Sequence, residues 1–104
     1  MTFTTDTEAD ILAISFPTHG NYDGGEILDA AGVVLEYNAN NEVMRIEVLH
    51  YHSKMPALIP FITALLGMEA TNTTSFTRED ILRFLKMSQL IPVREWFTPQ
   101  TVAA

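Results

Sequence analysis

GVVLEYNANNEVMRIEVLH, residues Gly32 to His50, reads as a β-hairpin whose register is written in its side chains. Two alternating runs flank an Asn-rich turn. Folding them about Asn40–Asn41 sets Tyr37 opposite Met44, Leu35 opposite Ile46 and Val33 opposite Val48, all on one face of the ribbon. The same register sets Glu36 opposite Arg45 on the other face, a favourable cross-strand pair. A slip of one residue would bury charge and expose the apolar set, so the register is strongly specified.

Working outward, Phe3 among threonines is a short β-favouring start. Asp6-Thr7-Glu8 is a polar turn. Asp10 to Phe16 alternates, with Leu12, Ile14 and Phe16 on one face and Ile11, Ala13 and Ser15 on the other. Pro17 to Gly25 (PTHGNYDGG) is a loop, dense in Gly, Pro, Asn and Asp. Glu26 to Ala30 is a short third strand. The front half is therefore an antiparallel meander with one apolar face, and that face needs a cover. Met55 to Met68 supplies it, a helix apolar nearly all round through Leu58, Ile59, Phe61, Ile62, Leu65 and Leu66. Pro60 opens a new turn after a break, and Gly67 is placed to end the helix. Glu69 to Ser75 is a polar linker. A second helix starts at Thr77, an N-cap, with Asp80 three residues on as a shortened capping box. Its buried stripe is Ile81, Leu82, Phe84, Leu85 and Met87, and Pro92 ends or kinks it. Trp96 and Phe97 form a packed aromatic pair, and Thr98 to Ala104 is a frayed tail.

The chain of 104 residues is the size of one domain: 1–54 the β-meander, 55–97 the helical cover, 98–104 the tail. Its apolar fraction of 47% is that of a globular protein. The absence of cysteine excludes disulfides and thiolate chemistry and fits a reducing compartment. The N-terminus lacks a basic region followed by an apolar run, so no secretory signal is expected there. The uncharged run Met55–Met68 is too short for a bilayer, which needs roughly 20 helical residues. A cytoplasmic protein is expected. The net charge of −7 is uneven. Nine acids (Asp6, Glu8, Asp10, Asp23, Glu26, Asp29, Glu36, Glu42, Glu47) face a single base, Arg45, in residues 1–53, whereas the rest is nearly balanced. An acidic front half repels phosphates and suits a soluble surface or a basic protein partner.

The first half also resembles a known family. A D-x-E-A-D turn (Asp6–Asp10) precedes an alternating strand (Ile11–Phe16). A G-V-V-hydrophobic-acidic strand follows (Gly32–Tyr37), then a turn (Asn40–Asn41), an I-E-V-L strand (Ile46–Leu49) and Ser53–Lys54. This pattern resembles the small bacterial domain-of-unknown-function family numbered 2283, over residues 3 to about 55. Asn40-Asn41 stands where that family usually has an Asp-Gly turn, and Arg45 where it has Gly. The resemblance implies a small antiparallel sheet with helical packing and no particular activity. A second, fainter likeness lies at residues 76–97. Thr77–Leu85, Lys86–Gln89 and Val93–Trp96 are similar to a bacterial helix-turn-helix of the excisionase kind. That likeness implies Arg78, Arg83, Lys86 and Arg94 as contacts to phosphates or bases, although Pro92 interrupts the would-be recognition helix.

Other constellations carry less chemistry. His50 and His52 form H-x-H, which on an extended strand puts both imidazoles on one side. With His19 folded over they are candidate metal ligands, though Glu47 points to the opposite face. Asp6, Glu8 and Asp10 crowd one turn without the spacing of a calcium loop. HGNYDGG matches neither a phosphate-cradling loop nor a dinucleotide fingerprint. No G-x-S-x-G is present. The reading is an α+β domain, an antiparallel four- to five-stranded sheet with two C-terminal helices on one face. It serves as a non-catalytic interaction module without a cofactor, binding a protein partner or self-associating. The alternatives are an antitoxin-like or regulatory DNA-binding protein acting through residues 77–96, and a metal-dependent function at His50 and His52.

Overall fold

The hairpin forms where the alternation puts it. The computed structural model describes residues 1–28, 31–71, 73 and 75–90. Strands β4 (Val33–Asn38) and β5 (Val43–Leu49) pair with Val33 opposite Val48, Leu35 opposite Ile46 and Glu36 opposite Arg45. The first four of these residues are completely buried. The tip differs from the expected two-residue turn, because Tyr37 pairs with Val43 and not with Met44. Asn38 is the cause. Its Oδ1 accepts from the backbone N–H groups of Asn40 (2.9 Å) and Glu42 (3.0 Å). This favours a wider loop closed by Asn38 N donating to Glu42 O, with Asn41 left-handed at φ 63°. Met44 becomes the extra residue of a bulge, and the expected register resumes at Glu36–Arg45.

Three further strands complete an antiparallel sheet: β1 (Thr2–Asp6), β2 (Ile11–Ser15) and β3 (Tyr22–Leu28). The spatial order is β1-β2-β5-β4-β3. The α+β class and the five antiparallel strands are as the sequence implies, but the connection is not that of a simple meander. β2 pairs with β5, in a Greek-key arrangement with β5-β4-β3. Leu12, Ala13 and Ile14 are all buried, so β2 suits an interior position. β3 carries Gly24, Gly25 and an exposed Ile27, and takes an edge. It starts at Tyr22, four residues before the expected Glu26 and inside the expected loop. Asp29 and Ala30 lie outside the described residues. Gly25 is required there, since a Cβ would stand 2.8 Å from the Leu35 carbonyl oxygen.

The link from β2 to β3 must cross β5 and β4, about 14 Å at roughly 4.8 Å per strand. Phe16–Asn21 is long enough, at about 3.3 Å per residue. It runs over the hairpin tip and is fastened there. Thr18 Oγ1 donates to Val43 O (2.7 Å), and Asn38 Nδ2 donates to His19 O (2.8 Å).

The helices cover the face that carries Leu12, Ile14, Phe16, Val33, Leu35, Val43, Ile46 and Val48. A short 3-10 turn, Tyr51–Lys54, leads into α1 (Met55–Ala70). α1 turns Leu58, Phe61 and Leu65 inward at spacings of three and four, the helical period. It neither breaks at Pro60 nor ends at Gly67. Pro60 deprives only the Pro56 carbonyl, in an exposed first turn where water can serve it. Gly67 has ordinary helical geometry on the solvent side, and the helix stops later. There Thr71 N and Thr73 N both donate to Met68 O.

α2 (Arg78–Met87) begins as its capping residues require. Thr77 Oγ1 accepts from Asp80 N, and Asp80 Oδ2 accepts from Thr77 N, both at 3.2 Å. Ile81, Leu82 and Leu85 are buried and Phe84 partly so, but Met87 is 73% exposed and does not belong to the stripe. α2 also stops short of Pro92. Gln89 is left-handed, Gln89 N donates to Lys86 O and Leu90 N to Leu85 O, a Schellman closure that buries Leu90. Pro92, Trp96, Phe97 and the tail 98–104 lie outside the described residues. The lead-in to α2 is stitched to the hairpin tip. Val43 N donates to Phe76 O (2.8 Å), Arg78 N to Asn41 O (3.0 Å) and Ser75 Oγ to Glu42 Oε2 (2.6 Å). Among the described residues no helix is long and apolar enough to cross a membrane.

Candidate functional site

The histidine pair sits at the end of β5, but not in extended geometry. β5 stops at Leu49, and His50 is left-handed at φ 55°. That residue reverses the pleat, so His52 belongs to the 3-10 turn and the two imidazoles do not share a strand face. His52 Nδ1 lies 2.6 Å from Asp10 Oδ1, and the same oxygen accepts from His52 N at 3.3 Å. The His52 ring stacks on Tyr51, with centroids 4.2 Å apart. His19 is used differently, its carbonyl serving Asn38. Among the described residues no group of three His, Asp or Glu side chains is placed to hold a metal ion. Asp6 and Glu8 form an Asx turn, with Asp6 Oδ1 accepting from the N–H groups of Glu8 and Ala9.

Beside this pair, Lys54 Nζ donates to Ala31 O (2.5 Å) and Leu49 O (2.6 Å). Burial pulls its ammonium below the ordinary lysine range, and the Asp10 charge opposes that. An Asp–His pair can shuttle a proton. The nearby Ser53 hydroxyl donates to His50 O (2.9 Å). The arrangement acts as a pin. Asp10 O also accepts from Tyr51 N, so the start of β2 holds the entry to α1.

The pin has a pH signature. The side-chain hydrogen bond with His52 holds the Asp10 carboxyl below the ordinary aspartate range, and the histidine charges add to it. A folded-state pKa below the unfolded value stabilises the fold above the unfolded pKa. That contribution disappears as pH falls through the folded value. Asp10→Asn keeps a residue that tolerates φ 59°. Urea denaturation is therefore expected to show Asp10→Asn less stable than wild type at neutral pH, with the gap closing below the aspartate range. A gap independent of pH would mean that the carboxylate charge contributes nothing.

The cations of α2 are interleaved with acids. The Arg78 guanidinium forks onto Glu26, through Nε to Oε1 and through Nη2 to Oε2 (3.0 Å). That hydrogen bonding holds Arg78 charged beyond its ordinary range. Arg83 Nη2 reaches Asp80 Oδ1 at 3.4 Å. Arg78, Glu79, Leu82, Arg83 and Lys86 line a shallow cleft of about 300 Å³. Arg94 and the segment Val93–Trp96 lie outside the described residues, so the structure presents the first helix and turn of the helix-turn-helix likeness and nothing of the second helix.

The outer side of α1 is the third feature. From Met55 to Met68 the helix has no charged residue. Ile59 is 57% and Leu66 44% exposed, with Met55 and Met68 also open to solvent. At its flank, Pro60, Ala64, Phe84, Met87 and Ser88 line a cleft of about 150 Å³ between the helices. The all-round apolar pattern of α1 signalled this face. The tie between Arg78 and Glu26, which occupies the foremost cation of α2, had no sequence signal, because 52 residues separate the partners.

Residues 3–51 match the family model described as Protein of unknown function (DUF2283). The matched stretch runs from β1 to Tyr51, which takes in the sheet and leaves both helices outside. No curated protein and no solved structure matches the chain.

Proposed function

We propose that this chain, its residues 3–51 a DUF2283 unit, is a non-catalytic interaction module of the cytoplasm that works through its surface. The observation that carries this reading is the uncharged, water-facing side of α1. A helix at a protein surface ordinarily sets polar residues outward. Here Met55, Ile59 and Leu66 stand in that place, at spacings of four and seven residues that keep them on one side of the helix. Contiguous apolar surface of this kind marks contact with another protein. Asp6, Asp23, Glu26, Glu36 and Glu47 lie on the sheet and disfavour nucleic acid, and the α2 arginines are already engaged by Glu26 and Asp80. The lack of cysteine suits the reducing compartment.

The test compares the full chain with the double variant Ile59→Lys, Leu66→Lys. Both positions are open to solvent, so circular dichroism is expected to be unchanged. Wild type is expected to self-associate in light scattering or to retain a co-purifying protein, and the double variant to lose that contact. A wild type that is monomeric and binds nothing, or a variant that keeps every contact, contradicts the proposal.

A further inference from the structure

Among the described residues no strand pairs with the outer edge of β1, and its outward hydrogen-bonding groups have definite positions. Phe16 N donates to Met44 O, and Leu49 N to Gly32 O. Bonding pairs alternate along antiparallel ladders. With the observed registers, Leu12 and Ile14 bond toward β5, and Ile11, Ala13 and Ser15 bond toward β1. Their partners Asp6, Thr4 and Thr2 are thereby satisfied. Phe3 and Thr5 turn N–H and C=O to the open side.

Sheet edges are ordinarily guarded by Lys, Pro, bulges or charge. β3, the opposite edge, has a register shift between Tyr22 and Gly24 and the acid Asp23 between them. β1 has an unbroken register over its whole length, and no charge before Asp6. All its residues are exposed.

We propose that two copies of this chain join through β1, antiparallel about a two-fold axis at Thr4, into one continuous sheet. This rests on the reading that the chain works by surface contact, and it names a second copy as a partner. The strand is self-complementary in that register. Phe3 meets Thr5 of the second copy and shares both backbone hydrogen bonds with it, and the axis repeats this on the other side. Thr4 faces Thr4 of the second copy. Asp6 faces Thr2, so neither the acid nor the ring meets its own copy. The single charge of the strand, Asp6, falls opposite Thr2 of the second copy, so pairing with a copy brings no like charges face to face. Further apolar surface lies beside the edge. Phe3, 39% exposed, shares the helix-covered side of the sheet with its neighbour Ile14. The Met1 amino group bonds Glu69 at 3.2 Å, which brings the last turns of α1, with Leu66 and Met68, to the same side.

Sedimentation velocity and light scattering on the full chain over a concentration series test this. Wild type is expected to approach twice its 11.6 kDa mass. Thr5→Pro removes an outward N–H and leaves the β1–β2 ladder intact, and is expected to raise the dimer Kd at least about a hundredfold. Thr4→Lys and Thr4→Glu place like charges across the axis, each raising Kd about fivefold, and an equimolar mixture of the two is expected to restore the dimer. A wild type that remains at the monomer mass overturns the edge pairing. So does a dimer indifferent to all three variants. If that dimer is instead broken by Ile59→Lys with Leu66→Lys, the contact lies on α1, and the interaction-module reading stands while the edge pairing falls.

Discussion

Replacing Asn38 by Asp is expected to destabilise the fold by about 3 kcal/mol at neutral pH, although the two side chains have the same shape. Asn38 is the buried polar side chain among the described residues, 4% exposed. It does several things at once. Its Oδ1 holds the hairpin loop through Asn40 N and Glu42 N. Its Nδ2 holds the crossing loop through His19 O and also reaches Glu42 Oε1 at 3.0 Å. The Glu42 carboxyl is held below the ordinary glutamate range by hydrogen bonds from Ser75 and then Asn38. A carboxylate at position 38 keeps the acceptor and loses both donations. His19 O is left unsatisfied, and a second negative charge meets Glu42. The loss is therefore expected to shrink on acidification, and in an Asn38→Asp, Glu42→Gln double variant. Urea denaturation measures all of these. An Asn38→Asp protein as stable as wild type would mean that the crossing loop and hairpin tip do not depend on this amide.

Phe61→Ala is expected to cost about 3 to 5 kcal/mol, comparable with the whole stability of a marginal domain. Phe61 is completely buried in the cluster that joins α1 to the sheet, between Leu58 and Leu65 on the inward stripe. Truncation removes the ring's transfer free energy and leaves a cavity that a helix–sheet interface closes poorly. The same substitution two residues away gives the contrast. Ile59 faces water, so Ile59→Ala is expected to change stability by less than about 0.5 kcal/mol. Similar losses at the two positions would mean that α1 packs on a different face.

The contrast between these residues also shows what the sequence could express. Strict alternation over Val33–Val48 specified the register, because a slip would bury charge. Thr77 and Asp80 specified the start of α2 through a local motif. The tip departs from the simple alternation because Asn38 acts through its own side chain, outcompeting the Asn40–Asn41 turn signal. Pro60 and Gly67 neither break nor end α1, because propensity is a weak prior where an inward stripe already anchors a helix. The position of β2 beside β5 is a tertiary fact, since nothing local says which strand the loop Phe16–Asn21 will cross. The H-x-H spacing pairs His50 and His52 only on an extended strand, and β5 ends at Leu49. The left-handed His50 depends on contacts from Asp10 to the 3-10 turn, about 40 residues distant in sequence. The exposed side of α1 was legible, as a helix too apolar to be satisfied by one face.

The family match covers the sheet and leaves the helices outside, so the fold turns on whether α1 and the sheet form one cooperative unit. Native-state hydrogen exchange, residue by residue, tests it most directly. If α1 roofs the sheet as an integral layer, the amides of Phe61, Ile62 and Leu65 are expected to exchange with the same free energy as those of Leu35, Ile46 and Val48, close to that of global unfolding. Rapid exchange throughout α1 while the β4–β5 amides remain protected would contradict it.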